Sequence, residues 1–186
     1  MTALHTGYGD ARAATFFKWG LVPRWTKDSA IGNKLINARS ETVTEKPSYR
    51  EAFARRRCLV PVDGFYEWTR WGDRKQPFYF HMRDGEPFAI AGLWEGDGGP
   101  LETCTLPMTE ANGLLAPYHD RMSAILRPDD YEMWLDSGVR EPDLRKPVPR
   151  PYPHVEMSVY AVSPRVNSPS NDDPRCVEPL PSAGAT

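Results

Sequence analysis

The run Pro61-Val62-Asp63-Gly64-Phe65-Tyr66-Glu67-Trp68 reads as strand, turn, strand. Before it, Cys58, Val60 and Val62 alternate on one side of a strand over residues 58–62, and after the Asp63-Gly64 turn the aromatic residues 65–68 open the next. Working downstream, Gly72-Asp73 marks a hairpin and residues 77–82 return as a strand. Asp84-Gly85 turns again, and residues 87–94 and 101–108 continue the pattern. Upstream, the aromatic and branched run 15–22 reads as a strand stopped by Pro23, residues 23–34 as a loop, and Ile36-Asn37-Ala38 as a short buried strand. Pro47 opens a helix to about residue 56, with Tyr49 and Phe53 four apart on one face and arginines on the rest. Thr109 is placed to cap a short helix through Leu115. A second helix starts at Arg127-Pro128-Asp129-Asp130 and contains Tyr131, Trp134 and Leu135. Residues 155–162 form a last strand, after a segment in which long connections are expected because 10 of the 19 prolines lie from Glu141 onward. The expected fold is α+β: a single β-rich domain with a barrel-like, mostly antiparallel sheet and short flanking helices. Its expected boundaries are a flexible start over 1–13, the domain over 14–180 and a disordered tail over 181–186.

A chain of 186 residues with 40% hydrophobic content can bury one core and is short for two. The formal net charge of -2 hides a polarised distribution. Residues 1–90 hold 15 basic against 10 acidic residues, and residues 91–186 hold 8 against 15. A basic face is therefore compatible with the near-neutral total, and local patches govern phosphate contact. The arginines at 50, 55, 56, 57, 70 and 74 are either such a face or a solvated surface. Three cysteines without CxxC or paired His spacing suit a reducing cytoplasm. No apolar run approaches the ~20 residues of a membrane helix, and the first 18 residues lack a signal peptide's charged start and apolar middle.

Several polar residues stand where a purely structural strand does not require them. Asn37, in apolar company, either pins a loop or faces a cleft, because a buried amide must be hydrogen-bonded. Glu67 alternates with Phe65; pointing inward, it would have its charged form disfavoured by desolvation, and pointing outward it would pair with an arginine. His119, in the His-Asp-Arg-Met run 119–122, falls in a loop, where it is idle or the third polar member of a site. Trp25 in its polar loop is either a stacking platform for an unpaired base or packs on the flank of the domain. Cys58, alternating with valines, reads as a small buried hydrophobe.

WGLVPRW (19–25), INARSET (36–42), RRRCLVPVDGFYEW (55–68), KQP (75–77), AGLWE (91–95) and HDRM (119–122) follow one another in an order and spacing that resembles the SOS response-associated peptidase family. The resemblance runs from about residue 14 to 179. It implies a monomeric, cytoplasmic protein, nucleoid-associated when bound to DNA, that binds single-stranded DNA and captures abasic sites without a metal or cofactor. In the family the amine and thiol of a cysteine at position 2, exposed by methionine removal, form a thiazolidine with the ring-opened sugar, and the proteins carry self-processing peptidase activity. The resemblance places Asn37, Glu67 and His119 in the catalytic pocket, and Arg39, Arg121 and Trp25 along the DNA. An aldehyde condensing with an amine must gain and lose protons, which suits Glu67 and His119; Asn37 can orient without titrating; arginine forks suit phosphate oxygens.

Two departures accompany the match. The family opens Met-Cys-Gly-Arg and carries several tens of residues before its WGL segment, whereas here Thr2 follows Met1 and 18 residues precede Trp19. The expectation is that the chain as written does not form the thiazolidine, a threonine hydroxyl being a far weaker nucleophile than a thiolate, and that exposed strand edges lower its solubility. Ser123 stands where the family continues with proline, which implies a looser loop around His119. Beside abasic-site processing stand two other readings: a non-catalytic single-stranded DNA binding module, and a conventional peptidase built on Cys58 or Cys104 with His119.

Overall fold

The structure is a computed structural model that describes residues 1–6, 12–72, 74–96, 101–139 and 150–181, and of Trp71 and Arg74 the backbone only. In chain order the strands are β1 (Thr2–Thr6), β2 (Arg12–Phe16), β3 (Lys18–Trp19), β4 (Asn37–Arg39), β5 (Arg57–Val62), β6 (Gly64–Trp71), β7 (Arg74–Met82), β8 (Phe88–Glu95), β9 (Thr103–Glu110), β10 (Arg121–Ser123), β11 (Ile125–Leu126) and β12 (Met157–Ala161). The α-helices are α1 (Arg50–Arg55) and α2 (Tyr131–Leu135). This is the expected strand-rich α+β class, with helices short and pairings mostly antiparallel. No helix among the described residues is long and apolar enough to cross a membrane. The chain falls into two compact units. One is Met1–Val62 with Phe88–Glu110 and Arg121–Tyr152; the other is Asp63–Pro87 with Ala111–Asp120 and Pro153–Thr186, so the chain passes between them five times.

The first unit holds a nine-stranded sheet whose main path runs β10-β9-β8-β5-β1-β2. All eight residues of β8 are buried, as its continuous apolar sequence requires of a strand paired on both edges. One edge of β8 takes β5 along its length; the other takes β9 near Glu95 and β11 near Ala89. The change of partner is made at Ala124, whose N–H donates to Pro107 of β9 at 2.9 Å and whose carbonyl accepts from Ala91 of β8 at 2.8 Å. Against this sheet pack Tyr49, the residue before α1, with Phe53 of α1 and Trp134 and Leu135 of α2, all buried. The four-residue spacing read from the sequence delivers the first pair and the acidic start of the second helix delivers the other.

Several elements differ from expectation for identifiable reasons. Residues 2–6, expected within a flexible start, form β1, which pairs with β2 and β5 and buries Ala3 and His5 by simple alternation. The single strand expected over 15–22 is two, because the chain leaves β1 at Phe16, buries Phe17 and joins β9 in parallel at Lys18. The loop expected over 23–34 contains a 3-10 helix, Ser29–Lys34, whose first turn is capped by the Asp28 carboxylate accepting from the Ala30 N–H. Arg56 and Arg57, read as part of a solvated or basic face, are buried. Much of the proline-rich segment, residues 140–149, and the tail from 182 lie outside the described residues.

Gly20 of the WGL segment has a physical requirement for glycine. Its φ is +117°, and a Cβ built on it would lie 2.5 Å from the Gly32 carbonyl oxygen, while one on Gly32 would lie 2.7 Å from the Gly20 oxygen. Two backbones thus touch where the chain turns from β3 toward the 3-10 helix. Gly20→Ala is expected to cost about 2 kcal/mol or more, from the backbone penalty and the clash together. A urea midpoint within error of the parent's would refute this.

The second unit is built on a three-stranded antiparallel sheet, β12-β7-β6. The β6-β7 hairpin turns at Gly72, whose φ of +58° fits the turn read at Gly72-Asp73, although Asp73 itself lies outside the described residues. One face carries Tyr66, Tyr79 and Tyr160 in mutual ring contact or adjacent register. The segment after β12 covers it, with Tyr66 donating to the Cys176 carbonyl at 3.3 Å and Tyr160 to that of Val177 at 2.9 Å. Burial pushes the Tyr79 hydroxyl up to about 12. The opposite face carries Phe65, Glu67, Phe78 and Phe80.

Candidate functional site

On that second face, alternation along β6 puts Glu67 with Phe65, and the register pairs Glu67 with Phe78 and Phe65 with Phe80. Phe65 stacks on Phe80 at 5.3 Å. Tyr118 meets Phe78 at 4.6 Å and Phe80 at 5.2 Å, both edge-on, and so brings the segment before β10 onto the same face. Among these rings burial raises the Glu67 carboxyl above the ordinary value of 4.5. The neighbouring His119, when cationic, and the Trp68 N–H pull it partly back. Structure thus brings Glu67 and His119 within electrostatic reach of each other.

His119 is held by its backbone rather than by a helix. The short helix expected from Thr109 does not form: Thr109 belongs to β9, and turns follow. The buried Asn112 explains the difference, since its Oδ1 accepts from the Leu114 and Leu115 N–H groups at 3.1 and 3.0 Å. The Leu115 carbonyl then accepts from Tyr118 at 2.8 Å and His119 at 3.1 Å. The His119 ring is about half exposed, with Nδ1 3.3 Å from the Asp120 carboxylate. Nor is the HDRM run wholly a loop, because Arg121 and Met122 begin β10 and Met122 is fully buried. Ser123, expected to loosen this region, is a ladder residue opposite Met108.

Because Glu67 holds its proton more tightly folded than unfolded, its contribution to stability is fully present below the ordinary value of 4.5 and declines as pH rises through the raised folded value. Glu67→Gln is therefore expected to be more stable than the parent at pH 7–8, with the gap closing below pH 4.5. Urea midpoints across that range check it; a variant equally or less stable at pH 8 would contradict the desolvation argument.

The remaining expected site residues lie in the first unit, and the register of β9 orders most of them. Trp19 pairs with Cys104, Asn37 with Leu106, Arg39 with Met108, Ser123 with Met108 and Arg121 with Glu110. These β9 positions alternate, so Trp19, Asn37, Arg39, Ser123 and Arg121 share one face, while the buried Ala38 and Met122 point to the other. Asn37 was expected in a buried strand; β4 is instead exposed, buried, exposed, and its amide and Arg39 are open to solvent. The Asn37 carbonyl accepts from the Tyr49 hydroxyl at 3.3 Å. Arg121 is clamped by both Glu41 carboxylate oxygens at 2.8 Å and donates to the Met108 carbonyl at 2.6 Å. That ion pair holds the Glu41 carboxyl below its ordinary value. Trp25 is 62% exposed. The Trp19 ring, not singled out from sequence, is 50% exposed and its indole N–H donates to the Ile36 carbonyl at 2.7 Å. Both residues of β3 are exposed, so no alternation marks the ring, although it opens the WGLVPRW run.

Cys58 and Cys104 are fully buried, and burial raises both thiols, Cys104 to about 12. Neither can present a thiolate nucleophile. Among the described residues no cluster of three or more His, Cys, Asp or Glu side chains could hold a metal ion.

A family model and the named relatives point to one group. A family model described as SOS response associated peptidase (SRAP) matches residues 2–169. The abasic site processing protein YoqW of Bacillus subtilis is 42% identical over 166 residues, 87% of this chain and 74% of that protein. The abasic site processing protein HMCES of Gallus gallus is 35% identical over 191 residues, 88% of this chain and 56% of that protein. A crystal structure of a Bacteroides thetaiotaomicron protein superposes with a TM-score of 0.83 at 28% identity, covering 96% of this chain and 80% of that one.

Proposed function

This chain belongs to the SOS response-associated peptidase family, and on that premise we propose that it processes abasic sites in single-stranded DNA by forming a covalent link to the ring-opened sugar. The observation that carries the reading is the desolvated Glu67 carboxyl beside the His119 imidazole. Condensation of an aldehyde with an amine needs a group that both gives and takes a proton near neutral pH, and such a carboxyl is suited to it. In a form that carries the family's cysteine after the initiator methionine, the freed amine bonds to the sugar C1′ as the C=O bond opens and the proton lost by nitrogen goes to the oxygen. The carbinolamine hydroxyl then leaves as water with a proton from Glu67. The thiol of that same cysteine then adds to the C=N carbon and its proton passes to the nitrogen. Asn37 orients the sugar, and Arg39 and Arg121 meet backbone phosphates, with Arg121 exchanging Glu41 for a phosphate oxygen. Self-processing peptidase activity, hydrolysis of a peptide bond of the chain itself, draws on the same proton donor.

The test is a denaturing gel after mixing abasic single-stranded oligonucleotide with protein translated from any in-frame Met-Cys upstream of Met1. A denaturant-resistant adduct is expected, and its absence ends the covalent reading.

A second reading, a non-catalytic single-stranded DNA binding module, is favoured by the exposed Trp19, Asn37 and Arg39 on one face, which need no nucleophile. It has the chain as written bind an unmodified oligonucleotide with affinity that falls with salt and falls again in Arg39→Ala. Unchanged affinity in that variant counts against it.

A further inference from the structure

Trp25 projects from a turn whose base is fastened more firmly than an idle loop requires. The turn over residues 23–26 is closed by the Thr26 N–H donating to the Pro23 carbonyl at 3.0 Å. On one side of its base, the Val22 N–H donates to the Thr103 hydroxyl at 3.0 Å, and that hydroxyl donates to the Glu95 carbonyl at 3.5 Å. On the other side, Arg24 donates to the Gly96 carbonyl, and its Nε lies 3.3 Å from the Glu95 carboxylate, an ion pair rather than an aligned hydrogen bond. Both anchors converge on the end of β8.

The Glu95 side chain is only 5% exposed there and is held in turn by Arg56, whose guanidinium donates to it at 2.8 Å and pairs with Glu51 at 3.1 Å. Burial outweighs its arginine partners and leaves the Glu95 carboxyl above its ordinary value. Arg24, 42% exposed, brings a second cation to the carboxylate oxygen that Arg56 does not reach. Its consequence is mechanical: it ties the residue next to Trp25 to the most deeply buried strand of the unit, while the ring stays 62% exposed.

We propose that the Arg24–Glu95 pair is a positioning device that holds the Trp25 ring in the pose that stacks on an unpaired base. This rests on the single-stranded DNA reading above. A ring already fixed loses less freedom on stacking than one on a free loop, so the pair acts on affinity through preorganisation.

The experiment labels the full chain with 5-fluorotryptophan, assigns the Trp25 resonance with Trp25→Phe, and measures binding of an oligothymidine. Arg24→Gln leaves the Arg56–Glu95 pair in place and is the primary variant; Glu95→Gln is the second. Trp25→Ala is expected to weaken oligonucleotide binding about fivefold or more, the loss of one base–aromatic stack. Arg24→Gln is expected to shift and sharpen the Trp25 resonance alone and to weaken binding severalfold, and Glu95→Gln to do the same. Arg24→Gln is expected to add nothing in the Trp25→Ala background. Multiplying effects in that double variant, or an unmoved Trp25 resonance in Arg24→Gln, overturns the proposal. So does a parent that binds the oligonucleotide while Trp25→Ala binds equally well. A parent that binds no oligonucleotide overturns the DNA reading itself, and this inference with it.

Discussion

Glu67→Gln slows covalent capture of an abasic oligonucleotide about 100-fold or more, while oligonucleotide affinity stays within about twofold of the parent's. Glutamine keeps the volume on the β6 face and can still hydrogen-bond, so packing against Phe78 and Phe80 persists. What it loses is the exchangeable proton. The effect follows from the carboxyl's surroundings: burial raises its pKa above the ordinary 4.5, which favours the protonated form that can serve the departing hydroxyl. The measurement is single-turnover adduct formation by a form of the chain that opens with Met-Cys. Loss of affinity in step with loss of rate would make Glu67 a binding group and remove its proposed chemical role.

The second large effect concerns stability. Arg57 lies buried with its fork spread over four main-chain carbonyls. Nη1 donates to Phe53 and Ala54 at the end of α1, both at 2.8 Å; Nε donates to Trp134 of α2 at 2.6 Å, and Nη2 donates to Asp136 just beyond. Helix ends leave their last carbonyls without partners, and these carry the negative end of the helix dipole. One guanidinium therefore serves two helix ends at once and lies 5.9 Å from the centre of the Trp134 ring. Arg57→Met keeps the apolar stem and strands the carbonyls, each at about 1–3 kcal/mol if it stays dry. Allowing for relaxation and water entry, a net loss of about 3–5 kcal/mol is expected, read as a lowered urea midpoint. Arg57→Lys should recover little of it, since an ammonium cannot address four acceptors spread in a plane. A methionine variant within 1 kcal/mol of the parent would mean that water already supplies those bonds.

The parts of the fold legible from sequence were those fixed by neighbours in the chain. The β6-β7 hairpin follows from a glycine turn between alternating aromatics, and the burial of Tyr49 and Phe53 from their spacing on α1. The inward side of Glu67 follows from its parity with Phe65. What could not be read depended on partners far along the chain. Arg56 and Arg57 look like surface charge until Glu95, 39 residues on, and the carbonyls of Trp134 and Asp136, 77 and 79 residues on, come to meet them. The break at Phe17 is likewise invisible locally, because the aromatic run continues while its pairing partner changes from β1 to β9. In the segment leading to His119 the difference is short-range: Thr109 suggests a helix cap, and the buried Asn112 makes a turn instead.

The five passages of the chain between its two units have a bearing on how such a protein can be cut and recombined. Neither unit is a continuous stretch of gene, so no single truncation yields one of them whole, and a fusion or exchange that respects one boundary severs the other four. Nicking at a surface loop is expected to leave the pieces associated rather than to liberate a smaller folded body. Relatives that share this order of strands should accordingly inherit both units together or neither.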